Sequence, residues 1–373
     1  MRGNANWSAT RRVRAALSAA IVVCAVTAVL PGAASAEPMT VPGVTSDGGA
    51  GVERISVATD GTQGDGDSAG ATITTNGRRV VFSSLAKNLT PANPVTWERV
   101  FVRDQRTSQT TLMSSITPTN QDPVISGDGQ YVAFWGLLQR DTKSFLSQVS
   151  SGSTIGINCS GLSCSQPSLS ADGRYIAQVA TFNRPPSRQR IEVQDWQANH
   201  TQTVAEFGHT VSARPSISGD GRFVAYQDRQ AEDVFVWDRT DDTSSGPIEG
   251  PSKAATLVQI SKDGSKVVYL SGSDTYVQDE SSGADQLVPN VRGVAIDPTG
   301  RYLLYAPHDT NGPSLTLRDL ETGTDEIVSN QPASAGTDAV SAGGRDVVFH
   351  STADDIVPGD TNGKSDVFVR RFY

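Results

Sequence analysis

Residues that most often carry chemistry are scarce in this chain. Three cysteines and four histidines occur in 373 residues. No two histidines stand in H-x-H or H-E-x-x-H spacing, so no zinc motif is written into the sequence. Beyond the N-terminus no apolar run approaches the length that crosses a bilayer, and no membrane insertion is expected. Positive charge is short as well: 31 Lys+Arg face 40 Asp+Glu, a formal net charge of −9. A surface of that sign repels phosphate backbones, so nucleic acid is not an expected partner.

The N-terminus reads as a targeting segment rather than part of a fold. Arg2, Arg11, Arg12 and Arg14 form a basic region, an apolar stretch follows, and Ala34-Ser35-Ala36 has the form of an A-x-A cleavage site. Val22-Val23 before Cys24 is too bulky for a lipidation site. Residues 1–36 are therefore expected to be a signal peptide, and the mature protein to be secreted or associated with the cell envelope. Removing them takes away four Arg and no acid, which moves the formal charge from −9 to −13. Residues 37–51, rich in Gly, Pro, Ser and Thr, read as a flexible leader.

Cys159 and Cys164 remain, an even count in an exported chain. That favours a disulfide closing the loop Cys-Ser-Gly-Leu-Ser-Cys, with two free thiols as the alternative.

The dominant signal is repetition. An eleven-residue pattern occurs seven times: TITTNGRRVVF at Thr72, VISGDGQYVAF at Val124, SLSADGRYIAQ at Ser168 and SISGDGRFVAY at Ser216. QISKDGSKVVY at Gln259, AIDPTGRYLLY at Ala295 and AVSAGGRDVVF at Ala339 complete the set. The turn glycines recur about every 44 residues, the period of propeller blades. Each copy is a β-hairpin, because Asn-Gly or Asp-Gly supplies the positive φ of a tight turn between β-branched or aromatic arms. A second hairpin follows, led by strands that end in Asp104, Asp195, Asp238, Asp279 and Asp319. Such an Asp can accept hydrogen bonds from the turn backbone after it.

Four strands per repeat make one blade. The expected fold is all-β: a seven-bladed propeller of four-stranded antiparallel blades in one domain, residues 52–373. The C-terminal Val367-Phe368-Val369-Arg370-Arg371-Phe372-Tyr373 is a third strand with no fourth after it. Residues 52–57 have the character of the missing strand, so the N-terminal strand is expected to complete the last blade and remove an open edge.

The S-x-D-G-R-Y-V-A-F hairpin resembles the WD-like repeat of the TolB propeller, of prolyl-oligopeptidase propellers and of many exported bacterial proteins. The resemblance covers nearly all of residues 52–373 and implies a binding or protein-interaction scaffold. No α/β domain of the TolB kind and no hydrolase domain of the oligopeptidase kind is expected beside the propeller, and its repeats have no Gly-His pair of the true WD kind.

Loop lengths divide the ring into two faces. First-to-second and third-to-fourth turns are short. The long connections at residues 60–69, 84–97, 135–144, 158–166, 180–190, 307–313 and 350–364 emerge on the opposite face. Binding is expected there, around the central channel, with a protein or saccharide partner. Trp97, Trp135 and His308 are the candidate ligand-face residues. Lys262 and Arg174, on the short turns, are expected to play no part. Asp360, Asn362 and Asp366 alternate around Gly363 like the start of a calcium loop, repeated at Asp309-Thr310-Asn311-Gly312 but without the distal Glu of an EF-hand. Calcium is thus the metal the sequence allows, against a plain Asn-Gly turn.

Gly66-Asp67-Ser68-Ala69-Gly70 matches the esterase elbow G-x-S-x-G but lies in a loop before a strand, where the elbow needs a strand and then a helix. No catalytic residue is assigned. The expectation is a monomeric, non-catalytic binding propeller without a bound cofactor. The alternative is an extracellular enzyme such as a metal-dependent polysaccharide lyase, which would need His209, His308 and His350 to converge at the channel mouth.

Overall fold

The computed structural model describes residues 51–91, 96–114, 120–182, 188–207, 214–308 and 311–372. The expected signal peptide, the leader as far as residue 50, His209 and Asp309-Thr310 lie outside the described residues. Among the described residues the only helical element is the 3-10 turn Ala342–Gly344, and no helix is long and apolar enough to cross a membrane.

The strands form seven antiparallel sheets arranged as a seven-bladed propeller. Blade 1 is Ser68–Ile73, Arg79–Ser84, Arg99–Asp104 and Gln109–Ser114, from the channel outwards. Blade 2 is Asn120–Ile125, Tyr131–Leu138, Asp141–Gln148 and Thr154–Gly156. Blade 3 is Ser163–Leu169, Tyr175–Phe182, Arg188–Asp195 and His200–Phe207. Blade 4 is Ser216–Ile217, Phe223–Asp228, Asp233–Asp238 and Thr243–Ile248. Blade 5 is Thr256–Ile260, Lys266–Ser271, Asp274–Asp279 and Asp285–Val288. Blade 6 is Val291–Ile296, Tyr302–Pro307, Leu315–Asp319 and Asp325–Ser329. Blade 7 joins Asp346–Ser351 and Asp366–Arg371 to Gly51–Arg54, with Val340 bridging Val347 on the inner side. Gly51 pairs with Arg371 and Arg54 with Phe368. The N-terminal strand is shorter than residues 52–57: after Ile55 the chain bends, and Val57 bridges Gln63.

The repeated motif has a physical explanation at each position. In blade 3, Ser170 Oγ donates to Asp172 Oδ1 (2.6 Å) and accepts from Tyr175 N (2.9 Å), closing the turn. Gly173 takes φ +70°, and the Tyr131 ring of blade 2 lies where its Cβ would be, so glycine is required twice over. Arg174 reaches across to Asp195 (2.6 Å) while stacking on Tyr175. Asp195 also accepts from Ala198 N in the next turn. The same pairing recurs in Arg222–Asp238, Lys266–Asp279 and Arg301–Asp319. Exposed pairs of this kind contribute up to about 1 kcal/mol each, so their main effect is to hold one hairpin against the next.

Stability comes from apolar burial between blades. Val81, Val100, Val102 and Met113 of blade 1 pack against Ile125, Val132, Phe134 and Phe145 of blade 2. A larger cluster joins blades 6, 7 and 1 through Phe82, Phe101, Leu304, Phe349 and Phe368. Each buried Phe or Leu contributes about 1.5–3 kcal/mol.

The seven inner turns are also laced into a ring. Ala342 N donates to Thr75 O, Thr75 N to Gly127 O, Asp128 N to Ala171 O and Ala171 N to Gly219 O. Gly219 N then donates to Lys262 O and Asp263 N to Pro298 O. Gly343 N donates to the Asp297 carboxylate and completes the circuit. Close approach demands small residues here: a Cβ on Gly219 would stand 2.8 Å from Lys262 O and 3.2 Å from Ala171 Cβ.

Candidate functional site

Beside this ring, side chains join blades that are not neighbours. Lys262 lies in the short turn of blade 5, as expected, but its side chain turns inward: its Nζ lies 3.1 Å from Asp338 Oδ1 and donates to Leu169 O at 3.2 Å. It thus links blade 5 to the segment entering blade 7 and to blade 3. Gln259 Nε2 donates to the same Asp338 oxygen at 3.0 Å. Both side chains of the ion pair are nearly shut off from water, 13% and 11% exposed. Arg174 is where the sequence places it, on the short-turn face.

At the other end the inner strands open. In blades 1, 2, 3, 5 and 6 the inner strand carries one extra residue relative to its partner, a bulge near its start. Bulges re-aim side chains and bend the strand. In blades 1 to 3 a residue of the bulge adopts positive φ: Gly70, Asp122 and Gln166. Asp122 tolerates that conformation better than most side chains.

Asp122 is the centre of a polar cluster at the mouth. Trp135 Nε1 donates to its Oδ2 at 3.0 Å, and Arg214 Nη2 lies 3.6 Å from the same oxygen and 3.3 Å from its backbone carbonyl. Burial pushes the Glu98 carboxyl above its ordinary range, and the Asp122 charge adds to the effect. A hollow of about 160 Å³ beside this cluster is lined by Thr72, Asp122, Pro123, Arg214, Gly336 and Thr337. Gly336 and Thr337 also line a larger cleft of about 450 Å³ between blades 5, 6 and 7. Asp122, Arg214 and Arg292 escaped the sequence reading, because none belongs to a motif. The deviation from the repeat just before Val124, Asn120-Gln121-Asp122-Pro123, was the available signal.

The sequence-predicted residues fare unevenly. Trp135 does face the mouth cluster, but from within the strand Tyr131–Leu138. The connection expected over 135–144 is a tight turn at Gln139-Arg140, both at positive φ. Trp97 is half-buried in its loop, and its Nε1 is buried without a hydrogen-bond partner among the described residues. His308 Nε2 lies 3.0 Å from Ser273 O, bridging blades 6 and 5. His350 is in the second strand of blade 7, where burial lowers its pKa. His200 opens the fourth strand of blade 3, on the short-turn face. Ser68 is buried, bonded through Oγ to Ser84 Oγ at 2.8 Å, and opens a strand rather than an elbow.

Asp360, Asn362 and Asp366 do come together, around Arg54. Arg54 Nη2 lies 2.9 Å from Asp360 Oδ2 and its Nε 3.4 Å from Asp366 Oδ2. Asn362 Nδ2 donates to Asp366 Oδ2 at 2.8 Å and Ser56 Oγ to Asp366 Oδ1 at 2.5 Å. The charge facing these carboxylates is therefore a guanidinium from the N-terminal strand. Cys159 and Cys164 form a disulfide. Beside it the buried Glu192 accepts from Ser160 Oγ and from Gln178 Nε2. Among the described residues, Cys159, Cys164 and Glu192 are also the only three metal-capable groups close enough to share an ion, and the bond between the two sulfurs occupies them.

No family model and no curated protein matches this chain. Solved structures do. An oligogalacturonate lyase in complex with manganese superposes with a TM-score of 0.64 at 12% identity, covering 86% of this chain and 93% of the lyase. A second oligogalacturonate lyase, from Vibrio parahaemolyticus, gives 0.63 at 11% identity, covering 88% and 95%. TolB from Acinetobacter baumannii gives 0.46 at 17% identity, covering 70% and 62%. At these identities the two lyases share the propeller fold with this chain.

Proposed function

We propose that the protein is an exported, non-catalytic binding propeller that takes its ligand at the channel mouth on the long-loop face. The observation that carries this reading is the polarity of the channel. One end is laced by the turn ring and crossed by Lys262–Asp338. The other opens into two adjoining hollows beside a cluster of Asp122, Trp135 and Arg214. Convergent polar groups at the edge of a concave, partly apolar surface are the usual form of a ligand site. The test is capture from culture supernatant and cell-wall fractions with the mature chain, followed by Trp135→Ala, Arg214→Gln and, as a control, Arg174→Gln. Loss of capture with the first two alone supports the reading. Loss with Arg174→Gln alone overturns it.

A second reading, a polysaccharide lyase, draws support from the two lyases of shared fold and from the Glu98 carboxyl held above its ordinary range near Asp122. It predicts that the purified chain with manganese generates the ultraviolet absorbance of a new carbon–carbon double bond from oligogalacturonate, and that Glu98→Gln abolishes it. An unchanged spectrum after prolonged incubation would remove it.

A further inference from the structure

We infer that the 450 Å³ cleft between blades 5, 6 and 7 is a subsite for a carboxylate carried on an apolar body, with Arg292 as its anion-binding group. The inference deepens the reading of the mouth as the ligand face and rests on it. Three observations carry it.

The first is the unpaired cation. Arg292 sits near the start of the inner strand of blade 6, opposite Ala306, and its side chain is exposed. Among the described residues it is the only charged one lining the cleft, and no hydrogen bond or ion pair with them engages its guanidinium. Its counterpart in the neighbouring hollow, Arg214, is already held by Asp122. In a chain of net charge −9, a guanidinium left free in a concavity is an attachment point for an anion.

The second is the wall. Leu257, Val258, Leu270, Val294, Ala306 and Leu315 supply the apolar part of the lining beside the hydroxyls of Thr256, Ser334 and Thr337, and among the described residues no aromatic side chain lines the cleft. Val258 and Val294 are the extra residues at the bulges of their two inner strands. Sugars are usually held by an aromatic face and a fan of hydrogen bonds. An aliphatic lining with a few hydroxyls and no aromatic platform suits an alkyl or apolar amino-acid body instead.

The third is charge balance. A guanidinium fork matches a carboxylate through two parallel hydrogen bonds. One guanidinium neutralises one carboxylate, whereas a phosphate monoester carries close to two charges at neutral pH. Among the described residues the lining holds no second cation to balance the excess. The volume falls within the range of ordinary small-ligand pockets. A free apolar carboxylic acid and the C-terminus of an apolar peptide present the same chemistry.

Calorimetric titration of the mature chain distinguishes these sources. The probes are octanoate, N-acetyl-Leu-Val with a free carboxylate, the same dipeptide as its amide, and digalacturonate, each against wild type and Arg292→Gln. The free acids are expected to bind, and the amide at least tenfold more weakly. Arg292→Gln should cost the acids tenfold or more and leave the amide unchanged, with the same melting temperature as wild type. Octanoate binding better than the dipeptide points to free acids, and the reverse points to a chain terminus; both support the inference. Equal binding of acid and amide, an unaffected Arg292→Gln, binding of digalacturonate alone, or no binding at millimolar probe overturns it. If the acids fail while Trp135→Ala and Arg214→Gln abolish capture of a partner, the subsite is wrong and the mouth reading stands. If the acids bind through Arg292 while capture depends on Arg174 alone, the mouth is not the partner's site, but the subsite stands.

Discussion

Glu280 offers the sharpest test of the repeat geometry. It follows Asp279 in the third-to-fourth turn of blade 5, and its N donates to Ser265 O at 2.9 Å. The same backbone bond places Gln105 against Arg78 O in blade 1 and Arg239 against Arg222 O in blade 4. At those positions the side chain is a donor: Gln105 Nε2 bonds the Gly77 carbonyl and Arg239 Nε the Gly221 carbonyl. Trp196 does the same to Gly173 O in blade 3. Blade 5 has a carboxylate instead, and Glu280 Oε1 is buried without a hydrogen bond. Burial, with the Asp279 charge added, pushes its pKa up from 4.5 to about 7. The unfolded chain gives up this proton near the ordinary value and the folded chain only near neutrality. Stability from this group is therefore full below about pH 4.5, falls as pH rises to about 7, and is level above that. At about 1.36 kcal/mol per pH unit the ceiling is roughly 3.4 kcal/mol, which solvent screening at this turn reduces to about 1–2 kcal/mol. Glu280→Gln removes the charge and restores the donor found in blade 1. It should raise the melting temperature at pH 8 by about 2–3 °C and leave it unchanged at pH 4. Scanning calorimetry of both proteins across pH 4–8 reads this directly. Parallel pH profiles, or a variant less stable than wild type at pH 8, would refute the reasoning.

The other predictions concern the closure, the turn ring and the disulfide. Arg54→Met strands the carboxylates of Asp360 and Asp366 in a buried site, and should cost about 3–5 kcal/mol in urea unfolding at pH 7. Since the guanidinium already faces those carboxylates, calcium should not raise the wild-type melting temperature; a rise of several degrees that chelator reverses would show that a metal displaces it. Gly219→Ala drives a Cβ to 2.8 Å from the Lys262 carbonyl and should cost about 1–3 kcal/mol, whereas Gly156→Ala, with nothing within 4 Å, should be near neutral. Equal melting temperatures for the two would argue against a tight ring. The Cys159–Cys164 bond closes so short a loop that replacing both by serine should cost about 2 kcal/mol at most. Intact mass before and after reduction checks the bond, and a loss above 4 kcal/mol would mean that it supports more than its own loop.

The local parts of this protein were legible without coordinates. The Asp-Gly and Asn-Gly turns announce themselves because their backbone needs positive φ and their side chains bond within five residues, as Ser170, Asp172 and Tyr175 do. Seven of them at a blade's period imply the propeller, and a third strand without a fourth implies a partner from the other end of the chain. The Asp at the end of each third strand is a turn acceptor, as its place before the turn implies. Its second role, holding the arginine after the turn glycine, needed the hairpins side by side. What the ring alone decided is which distant side chains meet. Lys262 reads only as a short-turn residue, and closure puts Asp338 and Leu169 O within its reach. Asp360 and Asp366 share a local motif, but their pairing with Arg54, more than 300 residues earlier, is not written in it. Asp122 and Arg214 are 92 residues apart and belong to no motif. Turns are set by interactions a few bonds long, which sequence records. The channel is set by where seven blades end after packing, and there distances depend on every blade between.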